Sequence, residues 1–216
     1  MSSKEKIARR AAAELENGQV VNLGIGLPTQ ILEYLPDGLD IFVHSENGIL
    51  GMGRRCSRGT EDPKLIDSGG DYVRFRPGAS FFDSALSFAL VRGGRLDVAV
   101  LGTLEVAENG DLANWIIPGK FAPGIGGGME LAQKARRVIV TTTHTTRSGR
   151  PKILPRCTLP VTAKACVSTI ITELAVMDVT DHGLVLRELA RESEIAEVVS
   201  KTEARLVIPQ TSIPRF

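Results

Sequence analysis

Apolar residues recur along this chain in two rhythms, a helical spacing and short unbroken runs, and the two alternate. Ile7, Ala8, Ala11, Ala12 and Leu15 fall at helical spacing and Gly18 follows as a stop, so an N-terminal helix is predicted. "VVNLGIG" reads as a short buried strand ending in glycines. "LPTQILEYL" reads as a helix with Pro28 in its first turn, and "DIFVHS" as a second strand that delivers Glu46 at its C-terminal end. The pattern weakens after Gly59 until "DYVRFRPG", where Tyr72 and Phe75 lie among alternating residues. "ASFFDSALSFALVRGG" predicts a helix opened by Ser80 and Asp83 in a capping box. Phe82, Leu86, Ala89 and Leu90 would share its apolar face, and Gly93-Gly94 would end it.

Further along, "LDVAVLG" and "RRVIVTTT" are β-branched runs suited to strands buried in a parallel sheet, and "GGGMELAQKA" reads as a glycine turn feeding a short helix. "CVSTIITELAVMDV" and "GLVLREL" read as strands and "SEIAEVVSKT" as a helix. The alternation predicts an α/β fold: an open, mostly parallel sheet with helices on both faces and ligands outside the strand C-termini. No repeat, low-complexity segment or linker interrupts the pattern, so residues 1–216 read as one domain.

Composition mostly excludes. With 43% hydrophobic and 24% charged residues and a net charge of +1, the 216-residue chain is ordinary for a globular protein. Nothing in its charge favours a nucleic-acid or anionic-membrane partner. The N-terminus is amphipathic and charged, and no apolar run approaches the about 18 residues of a membrane span. Cys56, Cys157 and Cys166 form no C-x-x-C pair, which suits reduced thiols and a cytoplasmic location. His44, His144 and His182 are scattered, so no metal site is expected.

The glycine-rich stretches are not nucleotide motifs. "GIGLPT" lacks the third glycine of G-x-G-x-x-G, "GIGGGM" breaks its spacing, and Gly119-Lys120 has no following Ser or Thr. There is no G-x-S-x-G elbow. What remains is Glu46, with Gly48 permitting a tight turn that would project the carboxylate into a crevice. A carboxylate nucleophile suits acyl transfer, because attack on an acyl carbonyl gives a mixed anhydride that keeps the acyl group activated. It needs no general base, being ionised at neutral pH at an ordinary pKa of about 4.3. On these residues alone, a catalytic Glu46 and a structural turn glutamate both remain open.

The motifs together resemble the β subunit of the family I 3-oxoacid CoA-transferases. They are "VNLGIGLPT" (21–29), "SENGILGMG" (45–53), "PGASFFDSALSFALVRGG" (77–94), "GDLANWIIPGK" (110–120), "GIGGGMELA" (124–132) and "KILPRCTLPVT" (152–162). The resemblance covers almost the whole chain, and six motifs in the same order make it specific. It implies that Glu46, in "SENG", is the catalytic glutamate of a ping-pong exchange running through an acyl-glutamyl anhydride and a glutamyl-CoA thioester. It further implies oxyanion or substrate contacts from Asn22 and from the turn at Gly127 and Gly128, with Gly24, Gly26, Asn47 and Gly48 shaping the site. The implied donor is succinyl-CoA or a similar thioester and the acceptor a short oxoacid such as acetoacetate or 3-oxoadipate. CoA thioesters are substrates, and no cofactor is expected. The implied partner is an α subunit, in an α2β2 heterotetramer.

Plainer roles stand beside these. Asn22 would satisfy backbone groups at a strand end, Gly24 and Gly26 would serve turn geometry, Asn47 would hold the Glu46 turn, and Trp115 with Phe81-Phe82 would be core. The chain also departs from the family pattern. Gly128 stands where many members carry alanine, Gly70 where several carry a lysine, and Arg54, Arg55 and Arg58 make the segment after "SENG" unusually basic. Two other functions compete: an acyl-CoA hydrolase on the same scaffold, and a non-catalytic ligand-binding or regulatory module.

Overall fold

The computed structural model describes residues 1–120 and 124–216. Its first half contains α1 (Ser3–Ala12), β1 (Val20–Leu23), a 3-10 helix (Pro28–Glu33), β2 (Phe42–Ser45), β3 (Ile49–Arg55), β4 (Val73–Phe81), α2 (Ser84–Arg92) and β5 (Val98–Gly102). Then come β6 (Glu105–Ala107), β7 (Leu112–Ala113), α3 (Gly128–Lys134), β8 (Arg137–Thr141) and β9 (Ile153–Leu154). The chain closes with β10 (Thr169–Ile171), β11 (Ala175–Thr180), β12 (Gly183–Leu189), α4 (Ile195–Lys201) and β13 (Leu206–Val207).

Among the described residues, ten strands form one sheet in the order β13-β12-β11-β10-β8-β5-β1-β2-β3-β4, and β7-β6-β9 form a small second sheet. The centre, β10-β8-β5-β1-β2, is entirely parallel. Antiparallel ribbons flank it, β3-β4 on one side and β11-β12 on the other. The parallel sheet expected from the sequence is therefore the middle of a mixed sheet. The flanks turn antiparallel because short turns, such as residues 46–48, join neighbours that a parallel crossover could not.

Side chains of the central strands alternate between two cores. Val21, Leu23, Val98, Val100, Ile139 and Ile171 face the cluster that buries Ile7, Ala8 and Ala11 of α1 and Ile31 and Leu32 of the 3-10 helix. Ala99, Leu101, Val138, Val140 and Ile170 face the cluster holding Val91 of α2, Leu131 of α3 and Val198 of α4. Helices thus cover both faces, as the period-two burial of each strand requires. Glu14, packed among Arg10, Arg137 and Arg187, fastens the end of α1 to the sheet.

Three local expectations are corrected. The helix read over residues 27–35 is a 3-10 segment, Pro28–Glu33. Ser80 belongs to β4, pairing with Leu50, and Asp83 alone caps α2 by accepting from the Leu86 amide at 2.8 Å. Leu86 and Ala89 of α2 face outward, Leu86 being 50% exposed, while Ser87 and Val91 face the sheet. Burial of the Ser87 hydroxyl is compensated by a hydrogen bond to His44, described below.

β1 is the topological switch. The chain leaves it for β2 on one side, passes through β3, β4 and α2, and returns to β5 on the other side. A crevice opens outside the carboxyl ends of strands at such a point.

Candidate active site

Glu46, Asn47 and Gly48 are the three residues of the turn joining β2 to β3, with Ser45 paired to Ile49 across it. Gly48 adopts φ +115°, and a Cβ there would overlap the Phe82 carbonyl oxygen. The Phe82 amide in turn donates to the Gly48 carbonyl at 3.0 Å. Only glycine allows both the turn and this close approach. Asn47 points away from the crevice: it accepts from Ser45 Oγ at 2.7 Å and donates to the Ile66 carbonyl at 2.7 Å. Asn47 therefore holds the turn, and Glu46 is the residue it presents.

The Glu46 carboxylate lies against the glycine turn that begins α3. A Cβ on Gly127 would overlap Glu46 Oε2 and lie 2.7 Å from Phe88 Cζ. Burial pushes the Glu46 carboxyl above the usual carboxylate range, and the Gly127 backbone beside it pulls the other way. The Gly128 amide is turned to the Ile125 carbonyl at 3.2 Å, so Gly127 supplies the amide facing the carboxylate. A Cβ on Gly128 would have open space, its nearest neighbour being Asn114 Oδ1 at 4.0 Å.

Across the cleft, Asn22 sits in β1 beside His44 of β2, 3% exposed. Its Nδ2 lies 3.1 Å from the His44 carbonyl and 3.2 Å from His44 Nδ1, while His44 Nε2 lies 2.9 Å from Ser87 Oγ. Burial holds the His44 imidazole down at a pKa of about 4, so it is neutral at physiological pH. Helix α2 therefore braces the site at three points: Ser87 on His44, Phe82 just before the helix on Gly48, and Phe88 on Gly127.

These elements enclose a cleft of about 590 Å³, lined by Asn22, Gly24, Ile25, Glu46, Gly127 and Gly128 together with Ser68, Thr103, Leu104, Asn114 and Trp115. Gly24 serves close packing, not a turn: its amide donates to the Val100 carbonyl at 2.8 Å, and a Cβ would lie 3.3 Å from that oxygen. Gly26, at φ +93°, is the residue that makes the bend. Trp115 and Phe81, expected in the core, are not there. Trp115 forms part of the cleft wall, and Phe81 is 53% exposed on the edge strand β4, edge-on to Phe75.

Asn114 is the site residue that reading the sequence missed, although it lies inside the "GDLANW" motif. It bridges the Gly102 carbonyl at 3.2 Å and Thr162 Oγ1 at 2.7 Å, tying the cleft wall to the end of β5.

The arginines after "SENG" do not line the cleft. Arg54 donates to the Leu32 carbonyl at 3.0 Å, Arg55 pairs with Asp71, and Arg58 is exposed. Gly70 has open space around its Cα but sits at φ +87°, a backbone conformation unfavourable for lysine. Among the described residues, no group of three His, Cys, Asp or Glu side chains is placed to hold a metal ion. Burial pushes the Cys157 thiol up to about 12 and Cys166 to about 11, so neither offers a thiolate nucleophile at neutral pH. No helix among the described residues is long and apolar enough to cross a membrane.

Comparison with known proteins identifies the family. The coenzyme A transferase family matches residues 4–201. The beta subunit of a probable coenzyme A transferase of Bacillus subtilis (strain 168) is 48% identical over 208 residues, 96% of this chain and 96% of the relative. The beta subunit of the acetate CoA-transferase of Escherichia coli (strain K12) is 49% identical over 208 residues, covering 96% and 95%. A subunit of a probable succinyl-CoA:3-ketoacid coenzyme A transferase of Bacillus subtilis (strain 168) is 44% identical over 209 residues, covering 97% of each. Among solved structures, an acyl-CoA transferase apoenzyme from Escherichia coli O157:H7 superposes with a TM-score of 0.76 at 22% identity. The match takes in 100% of this chain and 43% of that one, so this chain spans less than half of its length. The decarboxylase AibA/AibB superposes with a TM-score of 0.75 at 19% identity, over 99% and 88%. These two structures share the fold, which by itself does not choose a reaction.

Proposed function

The chain belongs to the coenzyme A transferase family, and from that premise we propose that it is the β-type subunit of an acyl-CoA:carboxylate CoA-transferase with Glu46 as its nucleophile. The observation that carries the proposal is the placement of Glu46 at the switch point of the sheet, aimed into the cleft against the Gly127 amide.

In the proposed reaction, Glu46 attacks the acyl carbon of a donor thioester, the C–S bond breaks, and CoA leaves as a thiolate. The thiolate then attacks the Glu46 carbonyl of the anhydride, releasing the donor acid as a carboxylate and leaving a glutamyl-CoA thioester. An acceptor carboxylate reverses the two steps and departs as the new acyl-CoA. Each tetrahedral intermediate carries an oxyanion, and the Gly127 amide is the donor placed to meet one centred on the Glu46 carbonyl. No proton moves in any step, which fits a site with no histidine among the described residues lining the cleft.

The proposed donor is succinyl-CoA or a similar thioester, and the acceptor is a short acid. A 3-oxoacid such as acetoacetate or 3-oxoadipate fits relatives named for 3-ketoacids and 3-oxoadipate, and acetate fits a relative named for it. The CoA thioesters are substrates, and the proposal includes no metal or further cofactor. The proposed partner is an α-type subunit, in an α2β2 assembly, since the relatives are each named as one subunit of a transferase. Such a partner also answers a chemical need: Ile25, in the cleft lining, is 64% exposed, and an anhydride left open to water would hydrolyse. Three free cysteines suit a reducing compartment, and the proposal places the enzyme in the cytoplasm.

That open cleft also favours a second reading, hydrolysis of acyl-CoA on the same glutamate. One assay separates the two. With the partner chain present, CoA transfer to an added carboxylate should far exceed thioester loss without acceptor. Thioester loss at the same rate with and without acceptor, and no new acyl-CoA, would make the protein a hydrolase.

A further inference from the structure

We infer that His44 is a positioning residue, which turns both amide hydrogens of Asn22 back into the protein so that Asn22 meets the substrate through Oδ1, as a hydrogen-bond acceptor. The inference rests on the transferase reading for its substrate but not for its geometry.

The amide's orientation is fixed by chemistry. Asn22 has an amide atom 3.1 Å from the His44 main-chain carbonyl, and a carbonyl oxygen only accepts, so that atom is Nδ2. The second hydrogen of Nδ2 then points at His44 Nδ1, 3.2 Å away, which must be the unprotonated ring nitrogen. The ring proton therefore resides on Nε2 and is donated to Ser87 Oγ at 2.9 Å. His44, Ser87 and Asn22 are 2%, 0% and 3% exposed, so water does not compete for these bonds. Oδ1 takes no hydrogen bond from the described residues, and Asn22 is among the residues that line the cleft.

A side chain presenting an oxygen cannot stabilise an oxyanion, so in this arrangement the Gly127 amide has that task and Asn22 has another. The acids of the proposed reaction are carboxylates at neutral pH and offer acceptors only. Donors do exist on the other substrate, in the amide N–H groups of the pantetheine arm that carries the thioester. Asn22, held by His44, reads that arm.

The test pairs a spectroscopic with a kinetic measurement. In the full-length chain with 15N-labelled histidine, NMR at neutral pH should show the Nε2–H tautomer for His44. An Nδ1–H tautomer or an imidazolium overturns the inference whatever reaction the protein performs. In the complex with its partner, His44→Leu should raise KM for acyl-CoA about tenfold, the loss of one net hydrogen bond, and leave KM for the acceptor acid within about twofold. His44→Gln, whose amide can accept from Asn22 and donate to Ser87, should return KM to within about threefold of the parent. Should His44→Leu fail to fold, Ser87→Ala should shift the acyl-CoA KM in the same direction by a smaller factor. A fall in kcat at unchanged KM would show Asn22 donating in the transition state and overturn the inference, as would kinetics unmoved by either variant. Absence of any CoA transfer by the parent complex would sink the transferase reading while leaving the tautomer result standing.

Discussion

Gly127 has no room for a methyl group on the side that faces Glu46: a Cβ there would overlap Glu46 Oε2 and press on the Phe88 ring. Its backbone, at φ −78°, would accept any residue, so the constraint is contact and not conformation. Gly127→Ala should cost about 1–3 kcal/mol of stability and, by displacing the carboxylate, about a hundredfold in turnover. Gly128→Ala should leave turnover within about twofold, its Cβ having no neighbour closer than 4.0 Å. Steady-state kinetics and urea titration of the two single variants check the contrast, and equal losses would contradict it.

Gly48 carries both kinds of constraint. Gly48→Ala combines a left-handed backbone with overlap of the Phe82 carbonyl, and should cost about 2–4 kcal/mol. The same change at Gly70, left-handed but unhindered, should cost about 1–2 kcal/mol. Urea midpoints of the two variants, compared with the parent, measure the difference.

How much of this was legible in the sequence depended on what each residue does locally. The Glu46 turn was legible because an apolar run meets Asn-Gly, and a left-handed glycine has few other uses there. Asn22 and Gly127 were singled out only through family motifs, since their importance lies in contacts across β1, β2 and α3 that no local pattern encodes. Ser80 and Leu86 misled for the same reason. A serine three residues before an aspartate looks like a cap whether or not a strand continues through it, and nothing in the apolar spacing of α2 shows that Ser87 turns inward to bond His44. A lone tryptophan usually packs in a core, yet Trp115 walls the cleft. The long edge strand β4, largely exposed and containing Pro77, has no buried stripe to reveal it.

Burial raises the pKa of Glu46, and the sign of the consequence for stability follows. A carboxyl whose folded pKa lies above its unfolded value contributes stability below the unfolded pKa that is lost as pH rises through the folded one. At neutral pH the ionised carboxylate is therefore a burden on the fold. Glu46→Gln should melt at a higher temperature than the parent at neutral pH, with the gap closing in acid, while its CoA-transfer activity is lost. A lower melting temperature at neutral pH would contradict this.

Two buried histidines set an acid limit. His44 and His144 are held down at about 4 by burial, against an ordinary value of 6.5. His144 is fully enclosed, 3.0 Å from Thr172 Oγ1 and 2.9 Å from Thr202 Oγ1. As pH falls through this window the unfolded chain takes up protons that the folded chain refuses, so stability declines, by on the order of 3 kcal/mol for each histidine at full effect. Urea midpoints should fall between about pH 6.5 and pH 4, and His144→Gln should make that fall about half as steep. A midpoint that does not change across this range would show that neither ring is held neutral.

The central claim is that Glu46 becomes covalently linked to CoA as a thioester. The chain, assembled with its α-type partner, is incubated with acyl-CoA without acceptor, quenched, and analysed by intact mass and peptide mapping. The account predicts a CoA adduct on this chain alone, on the peptide containing Glu46 and absent from Glu46→Gln. An unmodified mass from a preparation that transfers CoA once acceptor is added, or an adduct on any other residue, would contradict it.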